Sequence, residues 1–185
     1  MTSGAGLVTD PSRPRSGTPP VTWVATRWDD PRAAALRGAM DADLAPRYAA
    51  LRAERARLFA ARAPGGLQVV PTAAEVLVTW LALDGAAPVA TASLRRLGPA
   101  ETTGAATYEV KRLFVLASHR RRGLAGRALQ HVEDSARDHG VATLRLQTGV
   151  RQPEAVALYA AAGWRRIEPY PPYPAESSLC FEKPL

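Results

Sequence analysis

This sequence predicts a mixed α/β domain, on three observations. Strand-like alternation and helix-like spacing follow one another along the chain in the order β, α, α, β, β, β, α, β, α, β, β. A turn of glycine and arginine, SHRRRGLAG at residues 118–126, separates a strong strand pattern from a strong helical one. At 185 residues the chain is long enough to bury one ordinary core without disulfides or a structural metal.

Residues 1–20 hold Gly, Ser, Thr and Pro with scattered Arg, a composition that buries too little apolar surface to offset the entropy of ordering. They read as a flexible tail, which leaves 21–185 as a single domain. VTWVATRW is the first strand, with Val21, Trp23, Ala25 and Arg27 on one face and Thr22, Val24, Thr26 and Trp28 on the other. Asp29 or Asp30 then caps a helix that has Pro31 at its first position. Residues 31–62 are rich in good helix formers, and Pro46 is expected to divide them into two helices near 45–48. Pro64, Gly65 and Gly66 end this region. EVLVTWLALDG and APVATASLRRLG form a hairpin about a short turn from Asp84 to Ala86, and a Gly- and Thr-rich loop near 98–106 leads into a central strand at about 106–116.

After the glycine turn, Leu124, Ala128, Leu129, Val132 and Ala136 recur at helical spacing, with Gly140 placed to stop the helix. ATLRLQT is the next strand. Pro153 opens a shorter helix, EAVALYAAA, which Gly163 ends. A WRRI strand, a proline and tyrosine loop at 169–174 and a last strand at about 177–182 complete the pattern.

The formal net charge is +7, and only Lys111 and Lys183 among the 24 basic side chains are lysines. Such a surface attracts nucleic acid, acidic partners or a multiply phosphorylated ligand, and charge alone does not choose among them. Cys180 stands alone, which excludes an intramolecular disulfide framework and a multi-cysteine zinc site. It reads as a small apolar filler. His119, His131 and His139 have no ligand spacing, with His131 and His139 on the exposed side of their helix, so no metal is expected. No apolar run approaches the roughly 20 residues that span a bilayer, and the N-terminus lacks a charged and then hydrophobic leader. A soluble cytoplasmic protein without a membrane partner is the expectation.

The turn carries the chemistry. Gly123 and Gly126 lack a β-carbon, so backbone N–H groups can close around phosphate oxygens while the following helix adds its positive end. A P-loop would require a Gly-Lys-Ser/Thr ending, and a Rossmann fingerprint three spaced glycines and a downstream acid; neither is present. RRRGLA at 120–125 fits instead the pattern of Arg or Gln, two variable residues, Gly, one variable residue, Gly or Ala. Together with EVKRLFV before it and RQPEAVALYAAAGWRRI after it, this makes the chain resemble the GNAT superfamily of N-acetyltransferases. The later segment is similar to that family's Asn-Pro-x-Ala-x-x-Leu-Tyr-x-x-x-Gly-Phe motif. The resemblance covers about 21–182 and is strongest from 108 to 167.

That resemblance implies the GNAT acyl-CoA N-acyltransferase fold, in which the strands flanking the turn splay apart and leave unpaired backbone at Leu113, Phe114 and Val115. The pantetheine arm of acetyl-CoA would pair there like an added strand. Its pyrophosphate would sit on the amides of Arg121, Arg122, Gly123, Leu124, Ala125 and Gly126, with Arg120, Arg121, Arg122 and Arg127 neutralising phosphate charge and His119 close by. Gln152 stands where the family usually has Asn and would contact the cofactor less firmly; Ala117 stands where a proline often follows the strand. Tyr159 occupies the position of the family's general-acid tyrosine, and Glu109 that of a glutamate used as general base through water. A base matters because a lysine-like amine of pKa about 10.4 is neutral in only about one molecule in 2,500 at pH 7. A backbone N–H near Phe114 would face the developing oxyanion. Asp41, Asp43 and Tyr48 would receive a cationic amine, and Tyr170 and Tyr173 would wall its site.

The function so implied is acetyl transfer from acetyl-CoA to a primary amine, by direct attack in a ternary complex, by a monomer or homodimer. A small molecule or amino acid is favoured as acceptor over a peptide or protein N-terminus or lysine. Two readings of other classes stand beside it: an acyl-CoA-binding module without turnover, and a basic nucleic-acid-binding domain. The last lacks an evident groove helix or aromatic platform, so nucleic acid is not the expected partner.

Overall fold

Alternation along the strands writes two faces of a single sheet. The computed structural model describes residues 21–58, 71–99 and 106–185. The expected N-terminal tail, the end of the helical region at 64–66 and most of the loop before the central strand lie outside them. The strands are β1 (Thr22–Thr26), β2 (Val76–Asp84), β3 (Ala87–Pro99), β4 (Ala106–Val115), β5 (Thr143–Gly149), β6 (Arg165–Ile167) and β7 (Ser178–Pro184). Among the described residues three α-helices join them: α1 (Pro31–Leu58), α2 (Leu124–Asp138) and α3 (Pro153–Ala161). The sheet runs in the order β1-β2-β3-β4-β5-β7-β6, and every neighbouring pair is antiparallel except β4 and β5. A mixed α/β domain is observed, as expected.

One face of the sheet receives α2. Ala92, Leu94, Val110, Leu144 and Leu146 meet Ala128, Leu129, Val132 and Ala136 in the main core, the face of α2 that the helical spacing predicts. Each fully buried leucine or valine there contributes about 1.5–3 kcal/mol relative to exposure. The opposite face receives α1 through Ala33 and Leu36, which pack on Leu81, Leu83 and Phe114. Beside that apolar patch runs a buried polar band of Thr79, Thr91, Ser93, Arg95, Glu109 and Lys111.

Several terminators act as the sequence predicts. Gly85, at φ 60°, carries the two-residue turn between β2 and β3, where a left-handed residue matches the twist of the hairpin. Gly163 ends α3 at φ 80°. Cys180 is fully buried between strands. Among the described residues no helix is long and apolar enough to cross a membrane.

Two expectations require correction. Pro46 does not divide the first helical region: α1 is continuous from Pro31 to Leu58 with Pro46 inside it. An internal proline removes one backbone bond and strains the turn before it, at a cost of about 3 kcal/mol or more. Here tertiary contacts hold both halves, with Leu36 and Leu44 buried before the proline, and after it Arg47 docked on the first turn of α3 and Tyr48 on the turn before α3. His131 is not on an exposed face either. Its ring stacks on Trp80 at 4.5 Å and tilts against Trp23 at 4.8 Å. Burial pushes its pKa below the ordinary value, and Arg127 adds to the effect.

The start of α1 gives a first prediction. Asp30 accepts a hydrogen bond from the backbone N–H of Arg32 at 2.8 Å and from the Thr26 hydroxyl at 2.7 Å. The Arg32 guanidinium, then Thr26, hold its carboxyl well below the usual carboxylate range. Asp30→Ala is expected to cost about 1 kcal/mol in urea unfolding at pH 7. Because the folded value is depressed, that contribution is complete above about pH 4 and declines as pH falls further. The difference between wild type and variant should therefore narrow below pH 4.

Candidate functional site

The site begins at an irregularity in β4. Thr91 pairs with Phe114 and Ser93 with Lys111, so Arg112 and Leu113 together face the single residue Ala92. Arg112 takes a positive φ of 55°, a strained conformation for a side chain of its size. Parallel pairing of β4 with β5 extends only from Tyr108–Leu144 to Val110–Leu146. Beyond it, β5 continues along β7 from Gln147–Cys180 to Gly149–Ser178, and β4 goes on without a partner on that side. The splayed strands expected of the sequence are therefore present, and a cleft of about 620 Å³ opens between them.

At one end of the cleft the chain turns into α2. A 3₁₀ turn at Ala117–His119 leads to Arg121 at φ 61° and Gly123 at φ 75°. Gly123 holds the N-cap position and offers no side-chain cap, so the first N–H groups of α2 are left for another acceptor. A β-carbon built on Gly126 would meet nothing within 4 Å, so there is open space beside the first turn of the helix. An anion fits this geometry by dipole and by donor supply.

Leu113, Phe114, Val115, Arg120, Arg121, Gly123, Leu124, Ala125, Gly126 and Gln152 all border the cleft, as do Tyr48 and Tyr159. Arg122 does not, and lies 3.6 Å from Asp84; Arg127 sits over the Trp23 ring. His119 borders the cleft with its Nε2 at 3.1 Å from Asp84 Oδ2. Arg120 donates from Nε to the Val115 carbonyl at 3.1 Å and places Nη2 3.0 Å from Asp43. Tyr159 is buried at 6 % exposure, with Phe181 and Trp164 rings beside it. Burial pushes its phenol well above the ordinary value, which keeps it protonated.

α1 lies across the cleft and is fastened on both sides. Asp41 pairs with Arg112 at 2.6 Å and Asp43 with Arg120. Arg47 pairs with Glu154, and the Tyr48 hydroxyl accepts from the Arg151 N–H and from Gln152 Nε2, each at 3.3 Å. Gly149 makes room for that hydroxyl, since a β-carbon there would overlap Tyr48 Oη. Gly149→Ala should therefore cost about 1–3 kcal/mol by overpacking. In a Tyr48→Ala background it should cost close to nothing, a non-additivity that a double-mutant cycle in urea measures.

The acceptor residues expected from the sequence do not converge. Asp41 is half exposed in its pair with Arg112 and does not border the cleft. Tyr170 and Tyr173 are turned into the polar band instead. Tyr170 donates to Glu109 Oε1 at 2.7 Å, Arg95 Nε donates to Glu109 Oε2 at 2.6 Å, and Tyr173 accepts from Arg95 Nη2 and Lys111 Nζ, each at 2.8 Å. Glu109 is fully buried, with both oxygens engaged, and does not border the cleft. Burial and then Glu109 push both phenols above their ordinary value. Lys111 is the member of this cluster that reaches the cleft. Sequence reasoning passed over it and over Arg95. Two signals were available: Lys111 is one of only two lysines, and Arg95 continues the inward series Thr91, Ser93.

A free strand edge leading to a helix start with unmet N–H donors defines a class of site, one shaped for an extended ligand with an anionic group. Comparison with known proteins gives the family. The acetyltransferase (GNAT) family model matches residues 39–164, and the chain belongs to that family. A protein of Azospirillum brasilense described as an IAA acetyltransferase is 44% identical over 78 residues, 42% of this chain and 51% of that one. An uncharacterized N-acetyltransferase of Bacillus subtilis is 33% identical over 75 residues, 40% of this chain and 50% of that one. The chain thus spans about half the length of the curated relatives it matches. Among solved structures, a Klebsiella pneumoniae protein assigned to the acyl-CoA N-acyltransferases superposes with a TM-score of 0.66 at 24% identity, over 89% of this chain and 97% of that one. An IAA acetyltransferase from Bacillus cereus superposes with a TM-score of 0.55 at 15% identity, over 89% and 100%. These two likenesses show the fold.

Proposed function

We propose that this chain transfers acetyl from acetyl-CoA to a primary amine on a small molecule or amino acid, directly, with both substrates bound. The observation that carries the reading is the end of β4–β5 pairing at Val110 and Leu146, which leaves a strand edge free above a helix start. The free edge of Leu113, Phe114 and Val115 would hold the pantetheine arm, and the N–H groups of Gly123 to Gly126 with Arg120 and Arg121 its phosphates. Acetyl-CoA supplies an acetyl group activated as a thioester. Tyr159 would hold a proton for the departing sulfur, and an N–H of the free edge near Phe114 would face the developing oxyanion. Glu109 we assign to holding Arg95, Lys111 and the two tyrosines in place, since no route to the cleft supports its acting as base. The relatives described as acetyltransferases support the reaction class.

The test is release of CoA thiol with a panel of amines: amino acids, polyamines, aryl-substituted alkylamines and short peptides. We expect saturable thermal stabilisation by acetyl-CoA and turnover with at least one small amine. Stabilisation without turnover on any amine would leave a binding module. Preference for peptides would move the acceptor to a protein N-terminus or lysine. Stabilisation by RNA instead of acetyl-CoA would sink the reading.

A further inference from the structure

Amide formation takes a proton from the acceptor nitrogen, and a base at the cleft must receive it. Glu109 is sealed behind Tyr170 and Arg95. Of the other carboxylates and imidazoles at the cleft, Asp43 is held by Arg120, His119 by Asp84 and Glu154 by Arg47. Lys111 remains. It is one residue before the bulge and one after Val110, so its side chain leaves β4 on the α1 face while Val110 and Tyr159 share the α2 face. Base and acid would thus approach the reacting carbonyl from opposite sides of the sheet.

We propose, on the acetyl-transfer reading above, that Lys111 is the catalytic base. Neutral Nζ takes a proton from the acceptor nitrogen as the N–C bond forms and the thioester C–S bond breaks, and the sulfur takes the phenolic proton of Tyr159. The Lys111 ammonium returns its proton to Tyr159 through solvent in the cleft, so that one amine proton ends on sulfur and both residues are restored.

The surroundings equip Lys111 for this. Glu109 and Arg112 face it from β4, Arg95 from β3, Tyr173 from the β6–β7 connection, and Cys180 from β7. Burial draws its pKa down to about 8; Glu109, 3.9 Å away, opposes this, while Arg95 and Arg112 add to it. About one molecule in ten would then be neutral at pH 7, against about one in 2,500 for an ordinary lysine.

Because the chain has two lysines, lysine-labelled NMR of the full protein gives an assay independent of turnover. One ε-carbon resonance should titrate near pH 8 and vanish in Lys111→Met; Lys183→Arg assigns the other. With an amine that supports turnover, kcat should rise with pH and level off above about 8. Lys111→Met and Lys111→Arg should each lower kcat by about 10²–10⁴-fold and keep their thermal stabilisation by acetyl-CoA. An arginine variant that retained wild-type kcat would show that charge alone matters, and would overturn the proposal. So would a methionine variant with the wild-type kcat and pH profile, or a Lys111 resonance that titrates only above pH 10. Wild type inactive on every amine overturns the acetyl-transfer reading and this one with it, whereas an active wild type with unaffected variants overturns this one alone.

Discussion

Tyr159→Phe should lower kcat by about 10²–10⁴-fold, the usual value of a positioned proton donor, and leave acetyl-CoA binding nearly unchanged. The substitution removes one oxygen from a ring that packs against Phe181 and Trp164, so the fold should hold. Burial keeps the phenol protonated, and the loss should therefore be uniform across neutral pH. The effect should also follow the leaving group. Acetyl donors with more acidic thiols require less help from an acid, and the variant should recover toward wild type with them. A variant that turned over acetyl-CoA at the wild-type rate would remove Tyr159 from the chemistry and leave it as a core aromatic.

Glu109→Ala is expected to destabilise the protein by about 3–5 kcal/mol, because it leaves a buried charge without its partner. The Arg95 and Glu109 side chains are both fully buried, and Arg95 Nη1 already lacks a hydrogen-bond partner. Deleting the carboxylate leaves the guanidinium with only Glu75, at 3.9 Å, and the Tyr173 hydroxyl, frees the Tyr170 hydroxyl and removes the negative charge nearest Lys111. Arg95→Met should be milder in Glu109→Gln than alone, since the pair is then replaced as a unit. Urea unfolding of the four proteins measures this. A Glu109→Ala variant as stable as wild type, and slow only in turnover, would restore Glu109 as the base.

Much of the architecture is legible because it is local. The face of α2 follows from the recurrence of Leu124, Ala128, Leu129, Val132 and Ala136, all buried. The Asp84–Ala87 turn, the Asp30 cap and the glycine stop at 163 each follow from backbone chemistry within a few residues. The cleft was legible too, through the turn and the segment around Tyr159. What was not legible depends on partners far along the chain. Arg95 lies opposite Glu109 only once the register of β3 and β4 is set, and the bulge sets it. His131 stacks between tryptophans from β1 and β2, and α1 runs through Pro46 because the start of α3 and the turn before it, more than 100 residues away, hold Arg47 and Tyr48. The misplaced acceptor tyrosines share this cause: nothing near Tyr170 or Tyr173 in sequence announces the buried ions they satisfy.

The extra residue at Arg112 also fixes which layer each end of β4 belongs to. Val110 and Val115 both pack on the α2 side, and Lys111 and Phe114 both lie on the other. In a regular strand, where sides alternate residue by residue, neither pairing is possible, since five and three are odd separations. The bulge is thus a parity change in the middle of the strand. Excising Arg112 would turn Phe114 and Val115 over together, driving a benzyl group into the small-residue layer beneath α2 and withdrawing it from α1. The two cores are kept in step by one residue, and the same residue turns the strand's free edge toward the cleft.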